Sequence, residues 1–318
     1  MFTIKTEELG DYSTIKLINP NTGEYLEVIP DLGAALNALV LRKENSFVDI
    51  IDGCQTSEEI ESEGKKYYKG NLLFPFPNRI ADGKYEFEGK KYQLEINEPD
   101  KNNAIHGLLA FEKFYVKKFE TNGGFIHLEL SYISEGTNPG WPFKCKVTVK
   151  YSLTSDEGVT CKTIVENTDN VNIPFGIGWH PYFKSLNRVD SLELQIPTDG
   201  FFEVDNRMIP NGKSTKENPF ATKKAIQNTN FDTGFAFNSP TSNNTIELYD
   251  SVKNATLQIW FEGGLGKYNF CQLYIPPHRK TIAVEPMTCP TNAFNTGVGL
   301  ISLAPGQTHE VSFGIKVK

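Results

Sequence analysis

Between Lys144 and Tyr151 the chain alternates strictly, with Cys145, Val147, Val149 and Tyr151 on one side and Lys144, Lys146, Thr148 and Lys150 on the other. Successive side chains on a strand point to opposite faces of its sheet, so this pattern specifies a strand with one buried face. Ser155-Asp156-Glu157-Gly158 reads as a turn and Val159 to Val165 as the returning strand. Tyr85 to Phe87 and Tyr92 to Ile96 flank Glu88-Gly89-Lys90 in the same way, predicting a second hairpin. Further strands are expected at Gly124 to Tyr132, Ser191 to Ile196, Thr245 to Tyr249, Ala255 to Phe261, Phe270 to Ile275, Thr281 to Val284 and Glu310 to Lys316. The best helical signal is Thr56 to Tyr68, charged and one or two turns long. Long amphipathic helices between strands are missing, which disfavours a doubly wound nucleotide-binding sheet. A content of 22 Phe, 13 Tyr, 26 Gly and 18 Pro fits strands joined by many turns. Pro210 to Thr229 is polar and reads as a surface excursion, and β patterning resumes after it. The expected fold class is therefore all-β and antiparallel, with few short helices, as one domain over residues 1–318.

Charge and motif content narrow the function. A net charge of -7 without any dense Lys/Arg run argues against nucleic-acid binding. No apolar stretch reaches the roughly 18 residues of a membrane span, and the first residues lack the parts of a signal peptide. The five cysteines, Cys54, Cys145, Cys161, Cys271 and Cys289, are scattered without a C-x-x-C pair, as expected for reduced thiols in a cytoplasmic protein. Nucleophile-elbow, phosphate-loop and dinucleotide motifs are absent. The five histidines show no metal-ligand spacing, so chemistry without metal or cofactor is expected.

Four segments carry more chemistry than packing requires. In Phe74-Pro75-Phe76-Pro77-Asn78-Arg79-Ile80, two prolines stiffen a loop that presents Arg79, whose planar fork suits hydroxyls or carboxylates. A structural Arg bonding loop carbonyls explains this segment equally well. In Asn102-Asn103-Ala104-Ile105-His106-Gly107, the glycine after His106 suits close backbone approach. His180 sits in the aromatic run Pro174-Phe175-Gly176-Ile177-Gly178-Trp179-His180-Pro181-Tyr182-Phe183, where ring faces could stack on a sugar and the imidazole could move a proton. A buried histidine braced by aromatics is the bland alternative. Glu285 ends the apolar run Ile282-Ala283-Val284 and is followed by Pro286. Partial burial there would raise its pKa toward the range useful to a general base, whereas an ion pair would make it structural.

Together these segments resemble the aldose 1-epimerase (galactose mutarotase) family, from Asn78-Arg79-Ile80 to Leu303-Ala304-Pro305-Gly306-Gln307-Thr308. Pro139-Gly140-Trp141-Pro142-Phe143 before the strand at Cys145 fits the same pattern. The resemblance implies a large antiparallel β-supersandwich, a free aldohexose such as galactose or glucose as substrate, and no cofactor. It implies Glu285 as catalytic base and His180 as catalytic acid, placed on opposite sides of the C1–O5 unit of the sugar. Arg79, His106, Asn78, Asp232 and Gln272 are implied as substrate-binding residues. The Thr233-Gly234 pair after Asp232 departs from the family, which more often has a polar or acidic pair there. A hexose-6-phosphate epimerase, with Lys184, Arg188 or Arg279 near the site, is one alternative. A non-catalytic sugar-binding protein and a glycoside hydrolase using Glu285 with Asp232 are others. The expected partner is a small monosaccharide, bound by a monomer or homodimer with no nucleic acid or membrane involved.

Overall fold

The alternation at Lys144–Tyr151 extends by three residues, giving the strand Lys144–Thr154 with Cys145, Val147, Val149, Tyr151 and Leu153 fully buried. It pairs with Gly158–Asn167 and Phe125–Glu135 in a nine-stranded antiparallel sheet that also contains Thr308–Val317, Ala255–Phe261 and Asn244–Asp250. The computed structural model describes residues 2–155, 157–185, 188–237 and 243–318. Asp156 of the expected turn lies outside the described residues.

A second sheet, of eight strands, carries the site. Its order is Pro210–Thr215, Phe201–Val204, Asp232–Ala236, Phe270–Tyr274, Thr281–Met287, Gly178–Trp179 and Leu72–Leu73, with Tyr182–Lys184 also paired to Thr281–Met287. The two sheets meet through aromatic side chains. Trp179 lies 5.9 Å from both Tyr151 and Phe313 of the nine-stranded sheet, and its Nε1 donates to Thr163 Oγ1 at 3.1 Å. Burying a side chain such as Phe313 contributes about 1.5–3 kcal/mol, and one continuous apolar cluster spans the two sheets. The architecture is the expected large antiparallel β-supersandwich.

Several expectations change in detail. Thr56–Tyr68 is helical, with Thr56 Oγ1 accepting from Glu59 N, but its middle, Ile60–Gly64, widens to a π-helical turn. The strand carrying Glu285 does not end there; it runs through Pro286 to Met287. Pro210 to Thr229 is only partly a surface excursion. Pro210–Thr215 pairs with Phe201–Val204, Lys224–Ala225 pairs with Glu193–Gln195, and Phe220 and Ile226 are buried. A five-stranded sheet spanning Thr3–Leu9 to Ser46–Asp49 had no clear signal in the sequence. Thr3–Leu9 is exposed on both faces and Ala35–Lys43 is buried on both, so neither alternates.

Gly107 shows how the fold fixes a loop beside the site. Its φ is +74°, and a Cβ there would fall 2.3 Å from the carbonyl oxygen of Phe74, against which Gly107 forms a β-bridge. Left-handed strain and overpacking each cost about 1–2 kcal/mol or more, so Gly107→Ala should lower stability by at least about 2 kcal/mol in urea unfolding. A loss below about 0.5 kcal/mol would show that the loop relaxes freely.

Candidate active site

The site begins with strand register. Thr281–Met287 pairs with Tyr182–Lys184 at Tyr182↔Ala283 and with Gly178–Trp179 at Gly178↔Met287. These are the same register on either side of a break at His180-Pro181, and continuing it sets His180 opposite Glu285. On the other flank of the strand, Glu285 pairs with Gln272, and Gln272 in turn pairs with Gly234. The sheet therefore lays His180, Glu285, Gln272 and Gly234 in one row.

Pro286 fits this break. Val284 N donates to Pro181 O at 3.3 Å and Thr288 N donates to Ile177 O at 2.9 Å. Alternate amides of one strand point to the same neighbour, so residue 286 falls between these two bonds. A proline, which has no amide hydrogen, can stand there without leaving a ladder donor unmet. The strand period also sorts the aromatics. Trp179 and Phe183 face the core, whereas His180 and Tyr182 share the other face, stacked at 4.9 Å.

The row forms the floor of a cleft of about 490 Å³ lined by all seven residues expected from the sequence: Asn78, Arg79, His106, His180, Asp232, Gln272 and Glu285. His180 Nε2 lies 3.4 Å from Glu285 Oε1, and the two are 5% and 2% exposed. They sit side by side on one sheet face, which corrects the expectation that they approach a sugar from opposite sides. Gln272 Nε2 donates to Asp232 Oδ1 at 2.7 Å, holding the half-buried carboxylate at the edge of the cleft. Gly234 lies beneath this pair, and a Cβ there would lie 3.1 Å from Gln272 Oε1 and 3.2 Å from Phe202, so these side chains would have to give by a few tenths of an ångström.

The opposite wall is a loop structure. Arg79–Ala81 pairs with Asn103–Ile105, so His106 directly follows a strand whose Ile105 faces Arg79. His106 N donates to Asn78 O at 2.9 Å, and both residues adopt left-handed backbone, φ +64° and +55°. Such conformations are uncommon outside glycine and persist where surrounding bonds enforce them. Arg79 donates from Nε and Nη2 to the two oxygens of Glu98 at 2.8 and 2.9 Å, and from Nη1 to Asn78 Oδ1 at 3.3 Å. Glu98 also accepts from Asn103 at 2.9 Å and Lys101 at 3.2 Å. These bonds, led by Arg79, overcome partial burial and hold the Glu98 carboxyl down at about 2.

Glu98 was not anticipated from the sequence, although Arg79 between apolar residues required some acid or carbonyl partner. Tyr67, Tyr68, Tyr182 and Tyr274 also line the cleft without having been singled out. Lys184, Arg188 and Arg279 do not reach it. Lys184 pairs with Asp49, while Arg188 and Arg279 both pair with Asp190 in a separate hollow. Of the three lysines that do line the cleft, Lys65 pairs with Glu61 and Lys101 with Glu98.

Burial dominates the electrostatics. Desolvation, reinforced by Asp232 and opposed by Arg79, raises the Glu285 pKa well above the usual carboxylate range. Desolvation holds His180 down at about 3, and holds His106 well below its usual value with help from His180 and Arg79. Burial therefore disfavours the charged form of both groups. Glu285 Oε2, His180 Nδ1 and His106 Nδ1 are buried without a hydrogen-bond partner in the protein. Buried polar atoms normally have partners, and these three belong to residues that line one cleft. No cluster able to hold a metal occurs among the described residues, and all five cysteines are free and buried. No helix among the described residues is long and apolar enough to cross a membrane.

Comparison with known proteins agrees with this architecture. Residues 14–316 match the family described as Aldose 1-epimerase. The uncharacterized protein YihR of Escherichia coli K12 is 30% identical over 303 residues, an alignment covering 92% of this chain and 90% of YihR. Galactose mutarotase from Rattus norvegicus is 30% identical over 212 residues, spanning 58% of this chain and 59% of that protein. The crystal structure of a galactose mutarotase-like protein from Clostridium acetobutylicum superposes with a TM-score of 0.87 at 22% identity, over 100% of this chain and 98% of that one. The chain belongs to the aldose 1-epimerase family.

The raised pKa of Glu285 makes a stability prediction. Folding favours its protonated form, so the contribution of this group is fully favourable below the unfolded value of 4.5 and is lost as pH rises through the folded pKa. Glu285→Gln removes that titration. The stability of the variant relative to wild type, measured by urea unfolding, should therefore rise between pH 4.5 and pH 8. A difference independent of pH over this range would mean that folding does not raise the pKa of Glu285.

Proposed function

We propose that this protein interconverts the α and β anomers of a free aldohexose, with Glu285 and His180 as the proton-handling pair. The observation that carries this reading is the 3.4 Å approach of His180 Nε2 to Glu285 Oε1 on the floor of the cleft. The anomeric hydroxyl and the ring oxygen share one carbon, so two adjacent side chains can serve both. In the charged form of the pair, reached when the shared proton passes from the carboxyl to the imidazole, the Glu285 carboxylate takes the C1 hydroxyl proton while the His180 imidazolium protonates the ring oxygen, and the C1–O5 bond opens to an aldehyde. Rotation about C1–C2 presents the other face, and closure returns both protons.

Ring opening leaves a protonated Glu285 and a neutral His180. That is the distribution which burial already favours in this cleft. The low-dielectric floor thus supports the open-chain half of the cycle, and the pair alternates between its charged and neutral forms in each turnover. Arg79, His106, Asn78, Gln272 and Asp232 hold the ring hydroxyls and restrain the open chain, while the tyrosine faces suit its C–H side. The cleft volume lies within the range of about 300–1,000 Å³ typical of small-molecule sites. A glycoside hydrolase is less well supported, because the group beside Glu285 is an imidazole and Asp232 is engaged by Gln272.

Polarimetry with freshly dissolved α-D-galactose and α-D-glucose tests the reading. Glu285→Gln and His180→Asn should each lower kcat by about 10²–10⁴-fold, the usual contribution of a positioned acid or base. Arg79→Ala should act mainly on KM. Wild-type rates in Glu285→Gln would remove the carboxylate from the chemistry. Preference for hexose 6-phosphates over free sugars would move the assignment to the phosphorylated substrate.

A further inference from the structure

The hairpin between Phe201–Val204 and Pro210–Thr215 ends the eight-stranded sheet, yet its turn reaches the loop wall of the cleft. Asp205 builds this turn, its Oδ1 accepting from Arg207 N at 2.8 Å and Ile209 N at 3.0 Å. Met208 takes left-handed backbone, with φ +64°. The turn projects Arg207 onto a loop about a hundred residues earlier in the chain. Its Nε donates to Lys101 O at 2.9 Å, and its Nη2 donates to Asn102 O at 2.8 Å and Asp82 Oδ1 at 2.9 Å, with a longer contact to Asn103 Oδ1 at 3.4 Å. The connection returns through Asn103, which is fully buried and donates from Nδ2 to both Arg207 O at 3.0 Å and Glu98 Oε2 at 2.9 Å. Glu98 in turn grips the Arg79 guanidinium by its two oxygens.

From this chain of contacts we infer that Arg207 is a positioning residue for sugar binding, acting on Arg79 through Asn103 and Glu98. The cleft has two sides of different build. Asp232, Gln272 and Glu285 stand on paired strands, whereas Arg79, His106 and Glu98 stand on turns and a short two-stranded sheet. Phe201–Val204 pairs directly with Asp232–Ala236, so the hairpin that carries Arg207 belongs to the first side. Arg207 then ties the outer end of the second side to the first, while Asn292 N, donating to Arg79 O at 2.7 Å, ties its inner end. A planar fork spreading over several acceptors suits that task, and a lysine could keep the Asp82 ion pair but not the rest.

The inference rests on the cleft binding a monosaccharide, and its test separates the two ideas. Calorimetry with D-galactose and polarimetry should be run on wild type, Arg207→Ala, Arg207→Lys, Glu98→Gln and the Arg207→Ala/Glu98→Gln double variant. We expect Arg207→Ala to raise Kd and KM about tenfold with kcat within about twofold, and Arg207→Lys to recover only part of that loss. In the Glu98→Gln background the effect of Arg207→Ala should shrink to within about twofold, because the route to Arg79 is already broken. Unchanged affinity in Arg207→Ala, or fully independent losses in the double variant, would overturn the inference. If wild type binds galactose without turning it over, the epimerase reading fails while the binding comparison still decides the role of Arg207. Should Arg207→Ala fail to fold, Arg207→Lys against Glu98→Gln supplies the same comparison.

Discussion

One interstrand register supports everything else in the site. The pairing of Tyr182–Lys184 and Gly178–Trp179 with Thr281–Met287 is common to both sides of a chain break, and it brings His180 beside Glu285. A slip of one residue would send every side chain of a strand to the opposite face. Here it would carry His180 into the core and Trp179 into the cleft. The fully buried Trp179, packed on Tyr151 and Phe313, opposes such a slip. Packing on one face of the strand thereby guards the chemistry on the other.

The same burial sets a tension between folding and reactivity. Glu285 is removed from water with one oxygen unpartnered, which costs stability unless the group is protonated. The rest of its strand, Ile282 to Val284 and Met287, is buried and apolar, and its burial offsets that cost. His106 adds a second unfavourable element, a buried imidazole on left-handed backbone. Strained and unsatisfied groups persist where other interactions over-determine the structure, and these two face the same cleft.

Much of this was legible in the sequence, and the exceptions have physical causes. Ala255–Phe261 was readable to its ends, because Ala255, Leu257, Ile259 and Phe261 share one buried face while Thr256 and Trp260 on the other are half-buried. Ala35–Lys43, dry on both faces, and Thr3–Leu9, wet on both, gave no such pattern. The site residues were visible as odd chemistry in short segments, Arg79 after two prolines and His180 among aromatics. Their side-by-side geometry was not, because it depends on which strands pair across about a hundred residues of chain. Glu98 and Arg207 escaped for a related reason. Each sits in a polar loop of ordinary composition, and its significance lies only in what the fold brings against it.

The contrast between the two walls of the cleft bears on how such a scaffold can diversify. The pair proposed to move protons is held by a ladder, Glu285 within a central strand and His180 between two segments that share its register. The groups that would recognise hydroxyl patterns sit largely on turns held by side-chain clasps and left-handed residues, at Asn78, Asn102 and His106. Loop sequence can drift while the ladder stays intact, so one chemistry can be offered to a succession of differently decorated rings without being rebuilt.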